Sequence, residues 1–245
     1  MKALKLFLMT IGIIGMTIVF QSCLDDDDDS SWRYPNALVT VKPTDGNSFF
    51  LQLDEKTTLL PTNMTTSPYG NREVRALVNY DEVDKPSQGY TKAIHINWID
   101  SILTKQTVPN LGAENDAKYG TDPIEIVNDW VTIAEDGYLT LRFRTLFGDA
   151  SKTHYVNLLV NTNPSNPYEL EFRHNASGDT YGREADGLVA FNINNLPDTE
   201  GKTVKLKLKW KSFSGNKSTE FDFTTRKATP KSSAITAQRS VSNIK

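Results

Sequence analysis

The chain has 245 residues, 38% of them hydrophobic, with 27 Lys and Arg against 30 Asp and Glu, so it can bury a core but has no basic excess. That balance argues against nucleic acid as a partner, because non-specific binding rests on clustered Lys and Arg that neutralise phosphates. A single cysteine, Cys23, rules out an intrachain disulfide.

The first element is a signal peptide. Lys2 and Lys5 precede the uncharged apolar run 7–20, about 14 residues long, the length of a signal h-region and short of the roughly 20 that span a bilayer. The run ends in Phe20-Gln21-Ser22-Cys23, which resembles a lipobox: a small residue stands directly before the cysteine whose thiol takes a diacylglyceryl group. It departs from that pattern at Phe20, where Leu is preferred, and at Gln21, where a small residue is. The expectation is removal of 1–22 and a membrane anchor at Cys23; ordinary secretion with a free thiol is the alternative. Two or three acyl chains make such attachment long-lived.

Asp25, Asp26, Asp27, Asp28 and Asp29 follow Leu24. A block of like charge stays solvated and extended, so it reads as a leash. Its position after the lipidated cysteine also resembles the surface-export signal of Bacteroidetes lipoproteins, a sorting role compatible with the first. Calcium is disfavoured, since a cage needs spaced ligands around a turn. Without Lys2 and Lys5 the 27 basic residues become 25 against 30 acidic, a mature net of −5. Five basic and no acidic residues lie in 226–245, so the body between leash and tail is mildly acidic. The Ser/Thr/Ala-rich tail 227–245, without apolar periodicity, reads as disordered.

Between Trp32 and Arg226 period-2 alternation dominates. It appears in Ala37-Leu38-Val39-Thr40-Val41, Arg72-Glu73-Val74-Arg75-Ala76-Leu77-Val78-Asn79-Tyr80 and Ala93-Ile94-His95-Ile96-Asn97-Trp98-Ile99, and again in Trp130-Val131-Thr132-Ile133 and Tyr138-Leu139-Thr140-Leu141-Arg142-Phe143. It returns in Tyr155-Val156-Asn157-Leu158-Leu159-Val160, Tyr168-Glu169-Leu170-Glu171-Phe172 and Val204-Lys205-Leu206-Lys207-Leu208-Lys209-Trp210. Such alternation marks half-buried strands, and no comparable window has helical periodicity, so the body is predicted to be all-β. Turn residues between Thr107 and Pro123 mark a seam. About five strand candidates before it suit a small closed barrel, and about seven after it suit an antiparallel β-sandwich. The predicted organisation is signal 1–22, lipidated Cys and acidic leash 23–31, barrel 32–112, sandwich 113–226 and tail 227–245.

Several stretches resemble the NigD-like lipoproteins of Bacteroidetes. They are the lipobox with its Asp run, Arg75-Ala76-Leu77-Val78-Asn79-Tyr80, Ile99-Asp100-Ser101-Ile102-Leu103-Thr104-Lys105, Gly120-Thr121-Asp122-Pro123-Ile124, His154-Tyr155-Val156-Asn157-Leu158 and Leu170-Glu171-Phe172-Arg173-His174-Asn175-Ala176 with Gly178-Asp179. The resemblance spans nearly the whole mature body and implies an N-terminal OB-like barrel followed by a C-terminal β-sandwich. It also implies a bacteriocin-immunity type of role, and it brings no enzymatic activity and no cofactor.

Candidate chemistry is sparse. His95, His154 and His174 lack the close spacing of local metal motifs; a cross-strand metal site is one reading, structural hydrogen bonds of His154 and His174 the preferred one. No Gly-x-Ser-x-Gly elbow occurs, and no carboxylate pair stands out for glycoside hydrolysis. The stretch 175–179 reads as a tight turn, with an anion nest the alternative. Trp32, Tyr80, Tyr90 and Trp98 could stack on sugar rings, though Trp98 in its alternating strand reads as core. Asp100-Ser101-Ile102 resembles a Bacteroidetes O-glycosylation acceptor, which burial would exclude. With no catalytic set, cofactor or metal predicted, the functional expectation is a non-enzymatic lipoprotein, held by Cys23 at the outer membrane with surface exposure or a periplasmic face. It would bind a protein or peptide; the rival is carbohydrate binding or an accessory role in glycan uptake. Partner identity and oligomeric state are not legible.

Overall fold

The computed structural model describes residues 33–226. Cys23, Asp25–Asp29, the signal and the tail 227–245 lie outside the described residues. Five strands close the first barrel: β1 (Ala37–Pro43), β2 (Phe49–Gln52), β3 (Thr58–Pro61), β4 (Val74–Glu82) and β5 (Lys92–Ser101), in the order β1-β2-β3-β5-β4. All its pairings are antiparallel except β3 with β5. Alternate residues Val39, Val41, Leu51, Leu59, Val78 and Ile94 point inward and form its core, as period-2 side-chain geometry requires.

The sandwich has two sheets. The first joins β6 (Leu103–Gln106), β13 (Arg183–Asn192), β10 (Tyr138–Phe147) and β8 (Glu125–Val127), with β9 (Ile133–Glu135) also paired to β10. The second runs β15 (Gly215–Phe223), β14 (Val204–Ser212), β12 (Glu169–Asn175), β11 (Tyr155–Val160) and β7 (Val108–Pro109). Leu139, Leu141, Leu158, Leu170, Phe191 and Leu208 interleave between them. Phe172 ties the aromatic centre together, 5.6 Å from Phe143 and 6.0 Å from Phe191 by ring centroids. Such offset and edge-on pairs are the arrangement that ring quadrupoles favour.

Three sandwich pairings are parallel, β6 with β13, β7 with β11 and β12 with β14, where the alternation alone pointed to antiparallel sheets. The cause is topological: β13 lies in the opposite sheet, so the chain crosses over and back before β14 returns beside β12 in the same direction. The chain also leaves the barrel earlier than its turn residues suggest. β5 ends at Ser101, Ile102 is buried, and β6 begins at Leu103 in the sandwich. The seam expected at 107–123 holds β7, a 3₁₀ turn and the short helix α1 (Asn115–Tyr119), and α1 packs on β11 and β12. Asn115 organises this segment by accepting from Leu111 N–H at 2.8 Å and donating to Asn110 Oδ1 at 2.6 Å. Trp130-Val131-Thr132, expected in a strand, forms a turn before β9. Asp129 Oδ1 accepts from Val131 N–H at 3.2 Å, and Thr132 Oγ1 donates to Val127 O at 2.6 Å, so local side-chain bonds displace the ladder.

Barrel and sandwich share a seam. The outward face of β1, which would meet water in an isolated barrel, is buried at Leu38, Thr40 and Lys42. Leu38 joins Ile102, Val131, Tyr138 and Ala190 in a small apolar cluster.

Candidate functional site

Three regions of the described residues carry concentrations of polar or titratable side chains. The first is at one end of the sandwich, where the loops after β10 and β12 meet. His154 stands just before β11 and His174 faces inward on β12; their rings approach with Nδ1 of His154 3.0 Å from Nε2 of His174. On its other side His154 Nε2 lies 3.2 Å from Asp179 Oδ2. Asp179 closes the turn after β12 and is 1% exposed. Its carboxylate accepts from the backbone N–H groups of Gly148 and Asp149, each at 3.1 Å. Burial works against its charge, but the backbone donors of Asp149 and Gly148 together with His154 hold its carboxyl below the usual carboxylate range. Burial first, and then the neighbouring His154, push the His174 imidazole down to about 4 against the smaller opposing pull of Asp122.

Both nitrogens of His154 are therefore occupied, and the Phe147 ring lies 5.4 Å from its own. The array ties two loops and two strands together and leaves that imidazole no free nitrogen for a bound molecule. His95 is not brought to it: that residue is exposed on barrel strand β5, with Asn63 Nδ2 3.5 Å away. Among the described residues no three His, Cys, Asp or Glu side chains are disposed to hold a metal ion. The stretch 175–179 forms a turn closed by Asp179 N–H on Ala176 O at 3.0 Å.

The second region lies between barrel and sandwich. Arg75, fully buried on β4, donates to Thr40 Oγ1 at 3.0 Å and Thr140 Oγ1 at 3.4 Å and pairs with Glu135 at 3.1 Å. Lys42 pairs with Asp136 at 2.9 Å, and Tyr138 Oη donates to Glu73 at 2.8 Å. Arg226, counted with the basic tail by composition, folds back to pair with Glu73 at 2.5 Å. Burial lowers the Arg75 pKa and raises that of Glu135, while each one's charge opposes the shift of the other. This network joins the two halves; Arg75 at its centre is buried, while Glu135 and Asp136 at its edge also line an open groove of about 380 Å³.

The third region is an open groove of about 580 Å³ on the outer face of the second sheet. Lys207, Lys209 and Lys211 of β14 and Arg173 of β12 form its floor, with Asp116 and Thr121 on the α1 side and Lys217 and Ser218 on the β15 side. Arg173 is held by Asp116 at 2.5 Å and Glu171 at 2.7 Å. The sequence reading passed over these lysines, although their alternation with Leu206, Leu208 and Trp210 is plain in the β14 segment. Alternation identifies the buried face of β14 and carries no information about what its outer face meets.

Of the remaining candidates, Trp98 is half-buried on β5, and Tyr90 packs on Phe50 at 5.2 Å. Ser101 is exposed at the end of β5, so burial does not remove it as a modification acceptor. Among the described residues no helix is long and apolar enough to cross a membrane.

Comparison with known proteins places this architecture. Residues 38–102 match the NigD-like N-terminal OB domain and residues 106–223 the NigD-like C-terminal beta sandwich domain. The short gap between the two matches, 103–105, falls within β6, where the chain has left the barrel. A protein of Parabacteroides distasonis described as toxin-related is 34% identical, with a TM-score of 0.65 over 85% of this chain and 98% of its own. A NigD-like immunity protein of Bacteroides caccae, 19% identical, shares the fold with a TM-score of 0.56 over 77% of this chain and 96% of its own. So does a Bacteroides fragilis protein described as a lipoprotein, 15% identical, with a TM-score of 0.52 over 79% of this chain and 98% of its own. No curated protein matches the chain. With both domain models matched in order and a relative one-third identical over most of the chain, this protein belongs to the NigD-like family.

Proposed function

We propose that this chain is a non-enzymatic, lipid-anchored envelope protein that acts by binding another protein or peptide, in the manner of an immunity protector. The observation that carries this reading is the open polar groove on the outer face of the sandwich, larger than the groove beside Glu135 and Asp136. His174, Asp179 and Arg75, at the centres of the other two regions, are buried. Support also comes from the family: one structural relative is described as an immunity protein and another as toxin-related. Anchoring rests on the lipobox-like Phe20-Gln21-Ser22-Cys23, with a lipoprotein among the relatives of the same fold. Residues 23–31 would serve as leash, and Asp25, Asp26, Asp27, Asp28 and Asp29 as the signal that sorts the protein to the outer-membrane surface. The proposed division of the chain remains signal 1–22, leash 23–31, a barrel and a sandwich module, and tail 227–245.

Two measurements test the reading together. Cys23→Ser should abolish labelled-palmitate incorporation and membrane partitioning, and a variant that still partitions normally removes the anchor. Crosslinking on intact cells followed by affinity capture should recover one defined protein. The carbohydrate reading draws on Trp130 and Tyr181, exposed at 53% and 63%, since exposed rings can stack on sugars. Glycan binding that disappears in Trp130→Ala or Tyr181→Ala, with no protein captured, would replace the proposal.

A further inference from the structure

The outer faces of the two sandwich sheets are charged differently. On the first sheet the two central arginines are matched: Arg142 lies between Asp129 at 2.8 Å and Asp186 at 2.5 Å, and Arg144 meets Asp186 at 2.6 Å and Glu184 at 3.7 Å. The Arg144 and Arg142 guanidiniums hold the Asp186 carboxyl down to about 2. On the second sheet β14 presents four lysines in a row, and the carboxylates run out along it. Lys205 has Asp222 at 2.6 Å. Lys207 and Lys209 share the carboxylate of Glu169, at 3.3 and 2.7 Å, with Glu220 opposite Lys207 on β15 and Glu171 opposite Lys209 on β12. Lys211 forms no ion pair among the described residues, and across β15 it faces Asn216, as Lys209 faces Ser218. The side chains of Thr121, Asn216 and Ser218 likewise have no protein partner among the described residues. At its Lys211 end the groove thus combines an ammonium group that has no carboxylate partner among the described residues with unused neutral hydrogen-bonding groups.

Alternate residues of a strand repeat at about 6.6 to 6.8 Å. Lys207, Lys209 and Lys211 therefore offer positive charge at the spacing with which an extended peptide offers the carboxylates of alternate residues. We propose that this groove binds an extended acidic segment of a protein partner. Alternate Asp or Glu side chains of that segment meet Lys207, Lys209 and Lys211, and its backbone is satisfied by Thr121, Asn216 and Ser218. The inference rests on the protein-binding reading above and adds to it the chemistry of the partner. Charge complementarity of this kind sets specificity and association rate, and it weakens with salt.

The test uses the full chain in detergent and a dye-labelled peptide of alternating Glu and Thr, about ten residues long, followed by fluorescence anisotropy. Binding is expected, weakening as salt rises, with no binding of the matching Lys/Thr peptide. Lys211→Glu should lower affinity by about tenfold, since a charge placed opposite a like charge is strongly disfavoured. Lys211 supports no protein carboxylate, so this variant should keep the wild-type melting temperature. Lys202→Glu, exposed and outside the groove, should bind as wild type. Equal binding by the Lys211→Glu variant overturns the proposal. So does binding that appears only after Asp25–Asp29 are replaced by Ser and Gly, which would make the chain's own leash the occupant. If the peptide fails while a crosslinked envelope partner is still captured by Lys211→Glu, the groove assignment falls and the protein-binding reading stands. If polygalacturonate binds in place of the peptide and no partner is captured, both fall.

Discussion

His174 shows how one side chain can carry both a structural role and a pH signature. Its imidazole is pushed down to about 4 by burial and by His154, against an ordinary value near 6.5 in the unfolded chain. The unfolded state therefore binds more protons between these values. The stability this neutral histidine contributes is complete above about pH 6.5 and is lost as pH falls towards 4, by up to ~3 kcal/mol. Urea unfolding measured from pH 7 to pH 4 should show that decline. His174→Asn should flatten it, with Asp179 setting whatever slope is left; an unchanged slope would mean that the imidazole is not held neutral. The histidines were legible as candidates in the sequence, and so was their structural use. Asp179, which completes the array, was seen only as a turn residue. Its value to the fold comes from the N–H groups of Gly148 and Asp149, about thirty positions upstream, and local pattern carries no information about such a contact. The groove lysines, by contrast, were legible as an alternation. What the sequence could not supply was which carboxylates the neighbouring strands would bring to them: Glu169 comes from β12 across a parallel pairing.

At the scale of elements, the long alternating strands β1, β4, β5, β10, β11, β12 and β14 stand where alternation puts them, because each buries one continuous apolar stripe. Elements built by side-chain capping were not visible to periodicity. Helix α1 is five residues long, too short to show a period, and the turn at 129–132 is written in Asp129 and Thr132. The segment Gly120-Thr121-Asp122-Pro123, read as punctuation, has a specific task at the end of α1. Gly120 sits at φ +81, where a Cβ would stand 2.5 Å from the His174 carbonyl and 2.6 Å from Asn175 Cβ. Asp122 Oδ2 then accepts from Ala176 N–H at 2.8 Å, pinning the same segment to the end of β12. Gly120→Ala should therefore cost about 2 to 4 kcal/mol, combining positive-φ strain with a clash against backbone. Gly178 has a similar φ, +82, but nothing within 4 Å of its would-be Cβ, so Gly178→Ala should cost only about 1 kcal/mol. Thermal melts of the pair separate conformational strain from close approach, and equal losses would show that packing at Gly120 is looser than its geometry states.

Across the whole molecule, two modules recognisable as separate are joined through buried charge. Five strands and seven strands could be counted from the sequence, yet the face of β1 that would be polar in a free barrel carries Leu38, Thr40 and Lys42 against the sandwich. The sequence pattern for that contact is weak because it alternates within a strand whose other face is already apolar. Arg75 is its centre: fully buried, it reaches Thr40 within the barrel and Thr140 and Glu135 in the sandwich. Replacing one partner of such a pair leaves the other charge buried and uncompensated, a loss of about 3 to 5 kcal/mol, whereas a well-packed apolar substitute can be far milder. Arg75→Ala should accordingly destabilise by that amount. The double variant Arg75→Met/Glu135→Leu should recover most of it, because neither charge then remains to be solvated. Two fluorophores can follow the halves separately: Trp98 reports on the barrel and Trp210 on the sandwich, in chains whose other tryptophans are replaced by Phe. The wild type should show one urea transition, coincident for both reporters, since neither half exposes its side of the seam without breaking the network. In Arg75→Ala the barrel transition should move to lower urea ahead of the sandwich. Separate transitions in the wild type would mean that the ionic seam is tolerated by the fold without contributing to its cooperativity, and that the halves behave as the independent domains their strand counts suggest.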